Sequence, residues 1–158
     1  MLSLIEKIIK ENLIKLHVKS HDWKEAIKLS AQPLVDDEIV TSNYVNEIIN
    51  SVNEYGPYFV IAPHVALAHA PGKAGAKELA MGISVLEPAI EFNNADNDPV
   101  SYVFTLSAPD SNSHLKAMQE LVYLLTDDNF YQVLSNSQKP SEILQYIKDS
   151  VVKQKIGK

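Results

Sequence analysis

Tyr58-Phe59-Val60-Ile61-Ala62, Leu79-Ala80-Met81-Gly82-Ile83-Ser84-Val85-Leu86 and Val100-Ser101-Tyr102-Val103-Phe104-Thr105-Leu106 decide the fold. The three runs are rich in β-branched and aromatic residues and are separated by short Pro, Gly and Asn clusters, which is the pattern of strands in one sheet. On the amino-terminal side, Leu2 to Asn12 carries Leu2, Ile5, Ile8 and Ile9 at helical spacing, and Leu13–Val18 then alternates like a strand. Asp22 followed by Glu25 is a capping box that starts a helix through Trp23, Ala26, Ile27 and Leu29, expected to stop near Pro33. A further helix starts at Thr41 or Ser42 and buries Tyr44, Val45, Ile48, Ile49 and Val52, with Asn53–Pro57 as its exit turn.

On the carboxyl-terminal side, Asn93–Pro99 is a polar loop and Ala108–Asn112 a second one. The second loop opens a helix over Ser113–Thr126, with Leu115, Met118, Leu121, Val122 and Leu125 expected inside. Asp127–Leu134 and Ser141–Val152 read as two more helices, and Lys153–Lys158 as a basic tail that frays. The predicted fold is α/β, a single domain over residues 1–152 with a central mixed β-sheet flanked by helices, since some strand links are too short for helical crossovers.

The 158 residues carry a formal net charge of -6 and no cysteine, and all 14 basic residues are lysine. A disulfide framework, a thiolate nucleophile and cysteine-ligated metal are thereby excluded. Without arginine there is no bidentate clamp for phosphate or guanine, which with the acidic balance argues against nucleic-acid binding. The apolar runs are far shorter than the roughly 20 residues that cross a bilayer, and Glu6, Lys7 and Lys10 interrupt the start where a signal peptide needs its apolar stretch. A soluble, cytoplasmic protein with no membrane insertion is expected.

Any nucleophile or proton shuttle is then sought among His17, His21, His64, His69 and His114, because imidazole titrates nearest neutrality. His17 and His21 flank the loop after the first strand and read as exposed polar residues. His64 and His69 lie among small and turn-forming residues just after a buried strand, where another molecule can approach. His114 lies at a helix amino terminus, where peptide N–H groups favour an anion. Read from the residues alone, these histidines also fit a zinc-binding module of His64, His69 and His114, although the His-x4-His spacing is a weak signature, or an interaction protein in which they are incidental.

Gly56-Pro57-Tyr58-Phe59-Val60-Ile61-Ala62-Pro63-His64-Val65-Ala66-Leu67-Ala68-His69-Ala70 resembles the active-site segment of the enzyme IIA domains of the phosphoenolpyruvate-dependent sugar phosphotransferase system. The resemblance is to the mannitol/fructose superfamily and within it to the ascorbate-type branch. It extends through Ser107-Ala108-Pro109-Asp110-Ser111-Asn112-Ser113-His114-Leu115, similar to the family's loop and helix start with a second active-site histidine. Family members show Ile/Val-Ala-Leu/Met-Pro-His-Ala-Arg-Pro, and His69 is the histidine in that slot; His64 is an additional one five residues upstream. Two positions depart from the pattern: Ala68 replaces the proline, and Pro71-Gly72 replaces Arg-Pro. Losing a charged hydrogen bond there costs about 1.5–3 kcal/mol, which Lys73 or Lys77 is placed in sequence to make good.

The resemblance implies the mannitol/fructose-type IIA fold and phosphoryl transfer between histidines, from the phosphocarrier protein HPr to a cognate IIB domain, in sugar uptake. It implies His69 as the phosphorylated nucleophile and His114 as a hydrogen-bond donor to the phosphoryl oxygens or the group fixing the tautomer of His69. His64 is a third, auxiliary candidate. No metal, nucleotide or other cofactor is expected. The alternative within the same fold is a regulatory domain phosphorylated as a signal.

Overall fold

The computed structural model describes residues 4–156. Its five-stranded sheet has the order β1-β4-β5-β3-β2, with β1 Ile9–Val18, β2 Val60–Ala62, β3 Val65–Ala68, β4 Ala80–Ile90 and β5 Val100–Ser107. β1 runs parallel to β4 and β3 parallel to β5, while β4–β5 and β2–β3 are antiparallel, so the sheet is mixed as expected. The helices are α1 Ile5–Ile8, α2 Trp23–Asp36, α3 Ser42–Tyr55, α4 Ser111–Leu124, α5 Asp128–Asn136 and α6 Pro140–Ile156.

Period-two alternation divides the core into two layers. Leu13, Ala66, Ala68 and Val103 face Ala26, Ile27, Leu34, Tyr44 and Ile48 of α2 and α3. Ile14, Val65, Leu67, Phe104 and Leu106 face Leu121, Phe130, Ile143 and Ile147 of α4, α5 and α6. β3 is buried on both faces, and this double cover fixes the strand that leads to His69.

Several boundaries differ from the sequence reading. The helix expected over Leu2–Asn12 is helical only from Ile5 to Ile8; from Ile9 the chain is extended and pairs with Met81, so the sheet wins over weak helical periodicity. Leu2 lies outside the described residues. α2 passes through Pro33 to Asp36, because the lost N–H removes one bond near the end of a helix whose last turn is held by buried Pro33 and Leu34. The strand expected over Tyr58–Ala62 is shorter, turns at Pro63-His64, and returns as β3, whose four apolar residues carry no alternation to read. α6 continues to Ile156, past Val152 into the stretch read as a fraying tail, of which residues 157 and 158 lie outside the described part.

α4 begins at Ser111, capped by the Asp110 carboxylate, and buries Ala117, Glu120, Leu121 and Leu124. Leu115 and Val122, expected inside, are 58% and 52% exposed. Glu120 explains the shift: its Oε1 accepts the N–H groups of Leu4 and Ile5, both at 2.9 Å, capping α1 from inside the protein.

Gly82 of β4 is where α2 presses the sheet, since a Cβ there would lie 2.8 Å from Leu34 Cδ1 and 3.0 Å from the Leu13 carbonyl oxygen. Gly82→Ala is expected to lower stability by about 1–3 kcal/mol through overpacking. A lower urea midpoint with an unchanged circular-dichroism spectrum would show it; an unchanged midpoint would mean that Leu34 yields freely.

Candidate active site

β3 and β5 are parallel neighbours, paired from Val65 and Tyr102 to Ala68 and Thr105, so both carboxyl ends leave the sheet at one edge. His69 follows β3. Ala108-Pro109-Asp110 follows β5 and turns the chain into α4, whose first turn presents His114. The rings of His69 and His114 meet there with centroids 5.1 Å apart at 62°. They lie in an open cleft of about 500 Å3 lined also by Tyr58, Lys73, Asp110 and Ser111.

His69 Nδ1 lies 2.7 Å from the Leu67 carbonyl oxygen. A carbonyl only accepts, so the hydrogen bond assigns the proton to Nδ1 and leaves the lone pair on Nε2. Burial pushes the His69 pKa below its ordinary 6.5, the bond to Leu67 opposes this, and a charge on His114 pushes it lower again. Burial also lowers the pKa of His114. Both rings are therefore neutral at pH 7. The Tyr58 ring packs edge-on to His69 at 5.5 Å, and its hydroxyl donates to the His69 carbonyl at 3.3 Å.

The amino terminus of α4 adds its partial positive charge to this edge of the sheet. Asp110 is the anionic group in the cleft, and its carboxylate is engaged: it accepts the Ser113 N–H at 2.8 Å and the Ser113 hydroxyl at 3.0 Å. Those bonds hold its pKa below the usual carboxylate value, led by the backbone one. Lys73, on the 3-10 turn Gly72–Ala74, is the lysine that lines the cleft; Lys77, the other candidate, is not among the lining residues.

His64 is not brought to the cleft. It occupies the β2–β3 turn with a φ of 69°, and its Nδ1 faces the Pro99 carbonyl at 2.7 Å. The length of β3 separates it from His69 by about 16 Å at roughly 3.3 Å per residue. This corrects both the auxiliary role read for His64 and the convergence of three histidines on zinc. Among the described residues no group of three His, Asp or Glu side chains is placed to hold a metal ion. His17 and His21 lie elsewhere, against Glu87 at 2.6 Å and Glu25 at 2.9 Å. Sequence reasoning did not single out Tyr58, read only as a strand residue, or Asp110, whose three-residue spacing to Ser113 is a capping signal.

Among the described residues no helix is long and apolar enough to cross a membrane. A relative, the ascorbate-specific PTS system EIIA component of Salmonella typhimurium, is 32% identical over 147 residues, spanning 92% of this chain and 96% of its own length. Among solved structures, the mannitol-specific cryptic phosphotransferase enzyme IIA CmtB of Escherichia coli superposes with a TM-score of 0.81 at 31% identity, covering 90% of this chain and 97% of that one. The enzyme IIA of Escherichia coli solved in complex with phosphorylated mannitol enzyme IIB shares the fold at a TM-score of 0.78 and 18% identity, covering 90% and 99%. Residues 7–150 match the family described as phosphoenolpyruvate-dependent sugar phosphotransferase system, EIIA 2, and with this fold and this paired-histidine cleft the chain belongs to that family.

Proposed function

We propose that the protein is a cytoplasmic phosphocarrier that takes a phosphoryl group from phospho-HPr onto Nε2 of His69 and passes it to a cognate IIB domain for sugar uptake. The observation that carries this reading is the Nδ1–H bond of His69 to Leu67, which leaves Nε2 as the free lone pair in a cleft shared with His114 and Lys73. The acceptor is supported by the Escherichia coli IIA domain whose structure contains phosphorylated IIB.

In the transfer, the Nε2 lone pair forms the new N–P bond as the donor's N–P bond breaks, and the donor imidazole leaves with its electron pair. The His69 ring gains positive character, which its Nδ1–H shares with the Leu67 carbonyl. The phosphoryl oxygens meet His114, the Lys73 ammonium and the amino terminus of α4, and these stabilise a loose transition state by position and charge. Handing the group to IIB reverses the step.

Incubation with phosphoenolpyruvate, enzyme I and HPr, followed by intact mass and alkaline peptide mapping, is expected to place one acid-labile phosphate on His69. His69→Ala removes it, His114→Ala takes it up slowly, and His64→Ala, His17→Ala and His21→Ala match the parent protein. Phosphate on another histidine would refute the assignment, and phosphate on His69 that no IIB protein accepts would identify a regulatory domain instead.

Lys73→Met is expected to slow uptake about ten- to a hundredfold, the rate equivalent of a charged hydrogen bond of roughly 1.5–3 kcal/mol. Lys77→Met serves as the comparison and changes little. Equal rates for both would remove Lys73 from the site.

The depressed pKa values set the pH response. A histidine harder to protonate when folded contributes stability that is complete above 6.5 and is lost as pH falls through 6.5 toward its folded pKa. Proton–carbon NMR titration should place the midpoints of His69 and His114 below 6.5, with uptake falling only as His69 protonates. A His69 midpoint above 6.5 would contradict the buried geometry.

A further inference from the structure

Tyr44 of α3 is fully buried, and its packing would be served equally by phenylalanine. Its hydroxyl, costly to bury unpaired, instead spans the two chains that form the cleft. It donates to the Leu106 carbonyl at 2.7 Å and accepts the Ala70 N–H at 3.1 Å, with the Ala70 carbonyl 3.2 Å away. Ala70 adjoins His69, and Leu106 is the penultimate residue of β5, the strand that leads to His114. The parallel pairing of β3 with β5 stops at Ala68 and Thr105, so these bonds take over where the ladder ends and the chains diverge.

A second contact lies two residues farther along. A Cβ on Gly72 would sit 2.6 Å from the Ala108 carbonyl oxygen and 2.7 Å from that of Pro109, so the loop after His69 lies directly on the backbone that opens α4. Only a residue without a side chain allows that approach.

We propose that Tyr44, behind the cleft, and Gly72, in its lining, are positioning residues, a two-point clamp that sets the separation and orientation of His69 and His114. The clamp deepens the phosphocarrier reading and its catalytic consequence rests on it. Neither residue need touch the phosphoryl group. Burial pushes the Tyr44 pKa up to about 12, so the bridging hydroxyl keeps its proton throughout the working range.

Displacement by about 1 Å can cost about a hundredfold in rate. Tyr44→Phe, which keeps the ring, and Gly72→Ala, which wedges the loops, should each slow phosphoryl uptake about tenfold or more at saturating HPr, with the half-saturating HPr concentration unchanged. Both should also move the His69 midpoint upward, as the released loop hydrates the ring and draws it from His114. The groups facing His69 are His114 and Asp110 from α4 and its cap, Lys73 from its own loop and Tyr58 beside β2; neither substitution replaces any of them. Ile27→Val, in the same core layer but outside the cleft, controls for lost stability.

Variants that match Ile27→Val in rate and midpoint would overturn the clamp. Should the parent protein take up no phosphate, the carrier reading fails; the midpoint then decides the clamp alone, a displaced one supporting it and an unmoved one overturning it. If Tyr44→Phe does not fold, Gly72→Ala, on a surface loop, decides the clamp by the same rate and midpoint.

Discussion

The parallel pairing of β3 with β5, and the place where it stops, governs the rest of the structure. Four residues of β3 are buried on both faces, held between α3 on one side and α4 to α6 on the other. The next residue, His69, is the first free of the ladder, yet its Nδ1 reaches back to the Leu67 carbonyl of the strand. The proposed nucleophile is thereby tied to a strand buried on both faces. Because β5 ends at the same edge, α4 begins there too, and the second histidine arrives without a long loop.

Charge enters this site sparingly. The chain has net charge -6 and no arginine, so the cleft proposed to receive a phosphoryl group must find its positive potential elsewhere. Two partial sources and one full one converge: the α4 amino terminus, worth about half a charge, the polarised histidines and the Lys73 ammonium. Lysine presents a point charge rather than a planar fork, so in the proposed transfer orienting the phosphoryl oxygens falls more heavily on the imidazoles. Partial burial complements this by disfavouring the protonated form of both rings, which keeps the lone pair of His69 available near pH 7.

Much of the fold was legible because its elements alternate or repeat cleanly. β5, α3 and α5 lie where their periodicity put them, and the mixed sheet followed from short strand links. β3 was not legible, because a short strand buried on both faces reads as an apolar run like any other. Hydrophobicity could not separate His64 from His69; the strand between them does so by distance. His69 and His114, chosen by motif, do meet in the structure. Tyr44 was read correctly as buried, but periodicity says nothing about what a hydroxyl inside a core bonds, and it is that bond which reaches the site.

The phase of α4 shows how a buried carboxylate acts at a distance. Its apolar residues suggest an inward stripe of Leu115, Met118, Leu121, Val122 and Leu125, whereas the helix is turned by roughly 100°, about one residue step, to bury Ala117, Glu120, Leu121 and Leu124. Burying Leu115 and Val122 would have been favoured by transfer free energy alone, by about 1.5–3 kcal/mol for each side chain. Against that stands the need of α1 for a cap: Glu120 satisfies two N–H groups that would otherwise be orphaned at the start of α1, the turn that leads into the sheet's first strand. The rotation that brings Glu120 inside sets the side on which His114 leaves the helix, toward β3 and His69. It also leaves Leu115, the next residue, exposed beside the cleft. The amino-terminal turn and the second histidine, more than a hundred residues apart in sequence, are thus linked by the rotation of a single helix.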